Sequence, residues 1–130
     1  MKITLKQLLE NEPVEIEVPG VGKVLVREPT RKDRIEAREE VSKLPYYDKL
    51  SDSDRLVEIQ ERLVVKTIVK IKYEDSEEWV DFSWEQYEKM PLSMSQSIYD
   101  VVSAFHVSRM LALYKKREKT MQDFLQQMKE

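Results

Sequence analysis

The chain contains two glycines, and both fall within one four-residue stretch, Pro19-Gly20-Val21-Gly22. Glycine adopts left-handed backbone angles without a Cβ clash, so placing both in one stretch marks a turn. Before it, Val14, Ile16 and Val18 alternate with Glu15 and Glu17; after it, Lys23-Val24-Leu25-Val26-Arg27 reads as a return strand. A period of two with one wet face is the pattern of a half-buried strand. A β-hairpin over about residues 14–27 follows, with Pro19, Gly20 and Gly22 forming its turn. A lone hairpin is marginal in water, so helices elsewhere must cover its apolar face.

Helix signals fill most of the remaining chain. Thr4 and Gln7 have the form of a capping box ahead of Leu8 and Leu9. Pro29-Thr30 ends the hairpin and starts a helix, with Thr30 as cap and Asp33 placing negative charge at the positive end of the dipole. Ala37, Val41 and Leu44 form its narrow stripe, and Pro45-Tyr46-Tyr47 breaks it. Ser51-Asp52-Ser53-Asp54 is a second start. Leu56, Ile59, Leu63, Val64, Ile68 and Ile71 keep three-and-four spacing, which predicts a helix to about Lys72 at the centre of the core. Residues 74–78 are an acidic connection. Ser83 and Gln86 cap a brief helix through Trp84, Tyr87 and Met90, which Pro91 stops.

A last long helix is expected from Ser93 or Ser95. Ile98, Val102, Phe105, Arg109 and Leu113 lie along one line, with Val101, Met110 and Tyr114 beside it. Lys115-Lys116-Arg117-Glu118-Lys119 interrupts the apolar pattern, and Met121, Phe124, Leu125 and Met128 resume it. The expected fold class is α+β and mostly α-helical. Residues 1–114 form a single domain with one N-terminal β-hairpin on a helical bundle, and residues 115–130 form a basic break and amphipathic C-terminal helical tail.

The chemistry available to this chain is narrow. It has no cysteine, which removes thiolate metal sites and Cys nucleophiles, and a single histidine, His106. Ser103 and Asp100 precede His106 by three and six residues, but neighbours on one helix do not give a triad its hydrogen-bond angles. His106 therefore reads as a structural imidazole. The acids from Glu74 to Asp81 lack the alternating ligands, central glycine and distal Glu of a calcium loop. There is no glycine-rich phosphate motif. No catalytic residue, metal site or cofactor is expected, and the chain does not read as an enzyme. No apolar run reaches the roughly 18–20 residues of a membrane span, and the N-terminus lacks the form of a signal peptide. A cytoplasmic protein is expected.

Charge is patterned more than the net −3 of the 130 residues suggests. Residues 73–100 carry one Lys against eight acids, net −7, while residues 101–130 carry six bases against three acids, net +3. Arg27, Arg31, Lys32, Arg34 and Arg38 form a basic cluster, but Asp33, Glu36, Glu39 and Glu40 interleave with it, so intrahelical pairing accounts for it. Met110, Leu113, Met121, Phe124, Leu125 and Met128 are the candidate partner-binding residues. Met and Phe at helical spacing suit an adaptable groove-binding or self-associating surface, and a homo-oligomer is expected.

The run from Val14 through the Pro19–Gly22 turn to Arg27, followed by Glu28-Pro29-Thr30-Arg31-Lys32-Asp33-Arg34, resembles the tail assembly chaperones of long-tailed phages and prophages. The later Met90-Pro91-Leu92 step into the final helix is similar to that family as well. The resemblance spans most of residues 1–105 and rests on turn and cap chemistry. It implies a non-catalytic protein of the host-cell cytoplasm that binds and solubilises the tape-measure protein and helps recruit tail-tube subunits. The alternative from the residues alone is a small oligomeric adaptor or regulator. Such a protein would contact nucleic acid, if at all, through Arg31, Arg34 and Lys115 to Lys119.

Overall fold

The computed structural model describes residues 11–129; the expected helix around Thr4 to Leu9 lies outside them. Val14–Val18 (β1) and Gly22–Val26 (β2) pair antiparallel, Val14 opposite Val26 and Val18 opposite Gly22. The turn between them closes through the Val21 amide, which donates to the Val18 carbonyl at 3.1 Å. Both glycines take positive φ, 80° at Gly20 and 144° at Gly22. Val18, Val24 and Val26 point inward and are fully buried, while Glu15, Glu17 and Lys23 face water.

Thr30 caps the next helix, α1 (Arg31–Ser42), in a reciprocal box with Asp33. Ala37 and Val41 are its buried line. A single 3₁₀ turn at Tyr47–Lys49 leads into α2 (Asp52–Thr67), which Ser51 caps by accepting from the Asp54 amide at 3.1 Å. The expected helix to Lys72 is corrected here. Helix α2 stops at Thr67, and Ile68–Tyr73 is a third strand, β3, antiparallel to β2 in the order β1-β2-β3. Ile68-Val69-Lys70-Ile71 satisfies helical and strand spacing alike. The open edge of β2 decides between them, because its unpaired backbone groups need a ladder partner and the β-branched residues suit one.

The same correction moves the centre of the core. Leu56 and Val57 in the first half of α2 are about half exposed, and its buried residues, Arg62, Val64, Val65 and Thr67, gather at its end. The core is instead the inner face of the sheet, with Ile71, Ile98 and Val102 against the hairpin valines and Tyr87 at its margin. Val80 extends the sheet by one bridge, exchanging two 2.8 Å hydrogen bonds with Ile71. Ser83 and Gln86 cap α3 (Trp84–Lys89) reciprocally, as their spacing suggests. Past Pro91, the final helix α4 (Leu92–Lys129) runs 38 residues, with no interruption at Lys115 to Lys119.

Two hydrogen bonds fix the first part of α4 along the hairpin. Ser97 Oγ donates to the Pro19 carbonyl at 2.8 Å, and His106 Nε2 lies 3.2 Å from the Arg27 carbonyl. Ile98 and Val102, between these points, are fully buried. The helix is thus anchored from the turn of the hairpin to its open end.

Candidate interaction surface

Helix α4 leaves the body of the protein at His106. Every residue from Leu111 to Lys129 is exposed. At 1.5 Å per residue, the stretch from Met110 to Lys129 is about 30 Å of helix, and every residue in it is exposed. Its side chains are not those of a solvated helix. The expected partner-binding residues Met110, Leu113, Met121, Phe124, Leu125 and Met128 all lie on it, with exposures from 42% at Leu113 to 69% at Met128. The structure adds Val107, Leu111 and Tyr114, also half exposed, which the basic run had obscured. Met110, Leu111, Leu113, Tyr114, Val107 and Arg117 line an open groove of about 600 Å³. Arg117 lies over the Tyr114 ring at 5.2 Å, so its charge stands beside the groove while its stem widens the apolar surface.

A contiguous apolar surface of this extent is uncommon on a monomer and marks a place where something binds. Met supplies soft, rotamer-rich contacts that adapt to a partner's shape. A continuous helix presenting such a face offers apolar complementarity.

The base of the projecting helix is held by a polar knot that ties three elements together. Arg27, just past β2, grips Asp33 of α1 with both terminal nitrogens, at 2.6 and 3.0 Å, and also donates to the Lys66 carbonyl of α2 at 3.1 Å. Asp33 Oδ2 further accepts from the Thr30 amide at 2.8 Å. Burial alone would push the Asp33 carboxyl up. The hydrogen bonds from Arg27 and Thr30 outweigh burial and bring it down to about 2. On the other face of Arg27, its carbonyl meets His106, whose burial holds the imidazole below its ordinary range. Arg109, one turn on, packs over Phe105 and reaches Glu28 at 3.7 Å. The sequence marked Thr30 and Asp33 as caps and His106 as structural; that Arg27 links them is visible only in three dimensions.

These shifts give a pH prediction. Both folded-state values lie below the unfolded ones, so both groups stabilise at neutral pH and lose that contribution as pH falls. His106 acts below about 6.5, and Asp33 between about 4 and 2, where it is worth on the order of 1–2 kcal/mol. Urea unfolding of wild type and Asp33→Asn from pH 7 to pH 2 is expected to converge at the acid end. A stability gap that persists unchanged at pH 2 would contradict the role of the ionised carboxylate.

A second set of pairs joins α1 to α2. Lys66 reaches Glu40 at 2.5 Å and Arg62 lies 3.9 Å from the same carboxylate, while Arg62 also pairs with Glu58 of its own helix and stacks over Trp84 at 4.3 Å. Glu36 and Glu40 are thereby both engaged by α2, with Lys66 3.8 Å from Glu36, and Glu36 also has Lys32 of its own helix at 3.8 Å. The basic cluster near Arg31 is thus interleaved with acids that serve packing. Among the described residues, no helix is long and apolar enough to cross a membrane. No protein-family model, curated protein or solved structure matches this chain.

Proposed function

We propose that this chain is a non-catalytic tail assembly chaperone, which binds and solubilises the tape-measure protein of a long-tailed phage or prophage and helps recruit tail-tube subunits. The observation that carries the reading is the projecting half of α4, whose apolar face is left exposed among the described residues. The resemblance of residues 14–34 to that chaperone family supplies the partner. A long helical client exposes apolar stripes that aggregate unless covered, and a second helix of complementary surface covers them without chemistry. Each Met, Leu or Phe side chain removed from water contributes about 1.5–3 kcal/mol, and several copies along one client add avidity.

Co-expression tests the proposal. The full chain is expected to raise the soluble fraction of a co-expressed tape-measure protein and to co-purify with it. Truncation after Lys119 removes Met121, Phe124, Leu125 and Met128 and is expected to abolish both effects. Retention of both by the truncated chain would overturn the assignment of the surface. Salt-dependent retention on DNA, with no capture of the client, would favour an adaptor acting through Arg31, Arg34 and Lys115 to Lys119.

A further inference from the structure

The exposed face of α4 repeats every seven residues. Val107, Tyr114, Met121 and Met128 fall on one line. The first interval of that line carries Met110 and Leu111, the last carries Phe124 and Leu125, and the middle one carries Arg117 and Glu118 in the same two places. Lys115, Lys116 and Lys119 fall on the other side of the helix. This is the spacing of a coiled-coil seam, and it is symmetric about the midpoint between Arg117 and Glu118.

We propose that a second copy of this chain covers this face, its α4 antiparallel to the first, whenever no client helix occupies it. The proposal goes beyond the chaperone reading and does not depend on it. Charge sets the direction. A parallel, in-register pair brings Arg117 against Arg117 and Glu118 against Glu118 at the middle of an apolar seam. An antiparallel pair centred on the same point places each Arg117 beside Glu118 of the partner subunit, and it keeps apolar residues opposite apolar ones on both sides. Opposite charges facing each other in a desolvated seam fix register and direction, while like charges there are strongly unfavourable.

Extent supports the same occupant. Nine apolar side chains, each with roughly half its surface open, present on the order of 800 Å² per copy, one partner's share of a standard-size interface. Geometry permits it, because α4 has left the body of the protein at His106. The two bodies stand at opposite ends of about 30 Å of paired helix and do not collide.

The test uses the purified full chain alone. Light scattering is expected to give twice the 15.5 kDa of one chain. Met121→Glu lies far from the folded body and is expected to give a monomer with unchanged circular dichroism. Arg117→Glu sets four carboxylates at the midpoint and is expected to weaken the dimer about tenfold or more. Adding Glu118→Arg to that variant restores the dimer, because the antiparallel pair is again complementary. The chain has no native cysteine, so engineered ones report cleanly. Val107→Cys mixed with Met128→Cys is expected to form the mixed disulfide, whereas Met128→Cys alone does not cross-link to itself. A monomer at every concentration, or a dimer indifferent to Met121→Glu, would overturn the proposal. Self-cross-linking of Met128→Cys, or no rescue by the double exchange, would overturn the antiparallel arrangement. No client is present in these measurements, so their failure and that of the chaperone reading are separately visible.

Discussion

Gly22→Ala is expected to cost about 3 kcal/mol or more, enough to unfold a large share of a marginally stable domain. Gly22 opens β2 opposite Tyr73 of β3, at φ 144°. A Cβ added there would stand 2.0 Å from the Lys72 carbonyl oxygen and 3.0 Å from the Lys72 and Tyr73 carbonyl carbons. These are backbone atoms of the neighbouring strand, so nothing can swing aside. Relief requires parting β2 from β3, and Val24 and Ile71, both fully buried, lie on that same pairing. Gly20 is the control. Its φ of 80° disfavours a side chain, but an added Cβ there meets nothing within 4 Å. Gly20→Ala is therefore expected to cost only about 1–2 kcal/mol, from strain alone. Urea titration of both variants against wild type separates the two. Equal losses would contradict the steric account of Gly22.

The second large effect concerns binding and leaves the fold intact. Met121→Glu combined with Phe124→Glu places two carboxylates in the middle of the projecting apolar face. In a helix–helix contact each must be buried without a partner or keep the contact open, at a cost of about 2–3 kcal/mol or more. Loss of roughly 100-fold or more in client affinity is expected, together with loss of client solubility on co-expression. Both residues are more than half exposed, so the stability of the single folded chain, compared at concentrations too low for the α4 dimer, is expected to change by less than about 0.5 kcal/mol. A pull-down against the client and a thermal melt of the same preparation check both halves. Full capture of the client by this variant would remove the α4 face from the account.

Local chemistry carried most of what could be read from the chain. The hairpin, the Thr30–Asp33 box and the Ser83–Gln86 box depend on residues within a few positions of one another, and all three stand as expected. The third strand was hidden because Ile68 to Ile71 fits a helix as well as a strand. Only the open edge of β2, far away in sequence, makes the choice. The Arg27–Asp33 pair was hidden for a similar reason. Arg27 read as one more base in a basic cluster, and its bond to the Lys66 carbonyl spans 39 residues.

The α4 face was legible in part. Met121, Phe124, Leu125 and Met128 stand out by composition, but Lys115 to Lys119 looked like an interruption. Once the helix is continuous, three of those bases fall on its far side, and Val107, Leu111 and Tyr114 join the apolar face. The sequence held that information in its seven-residue spacing. What it lacked was the point at which α4 leaves the body, since Ile98, Val102 and Leu113 look alike in a periodicity and only the first two are buried.

The central proposal is that the projecting half of α4 covers a helical client, and co-expression with a tape-measure protein of a long-tailed phage tests it most directly. The account predicts that this protein moves from the pellet into the soluble fraction with the full chain bound, and returns to the pellet with the chain truncated after Lys119. A client that stays insoluble beside the full chain, or one equally soluble beside the truncated chain, would contradict it.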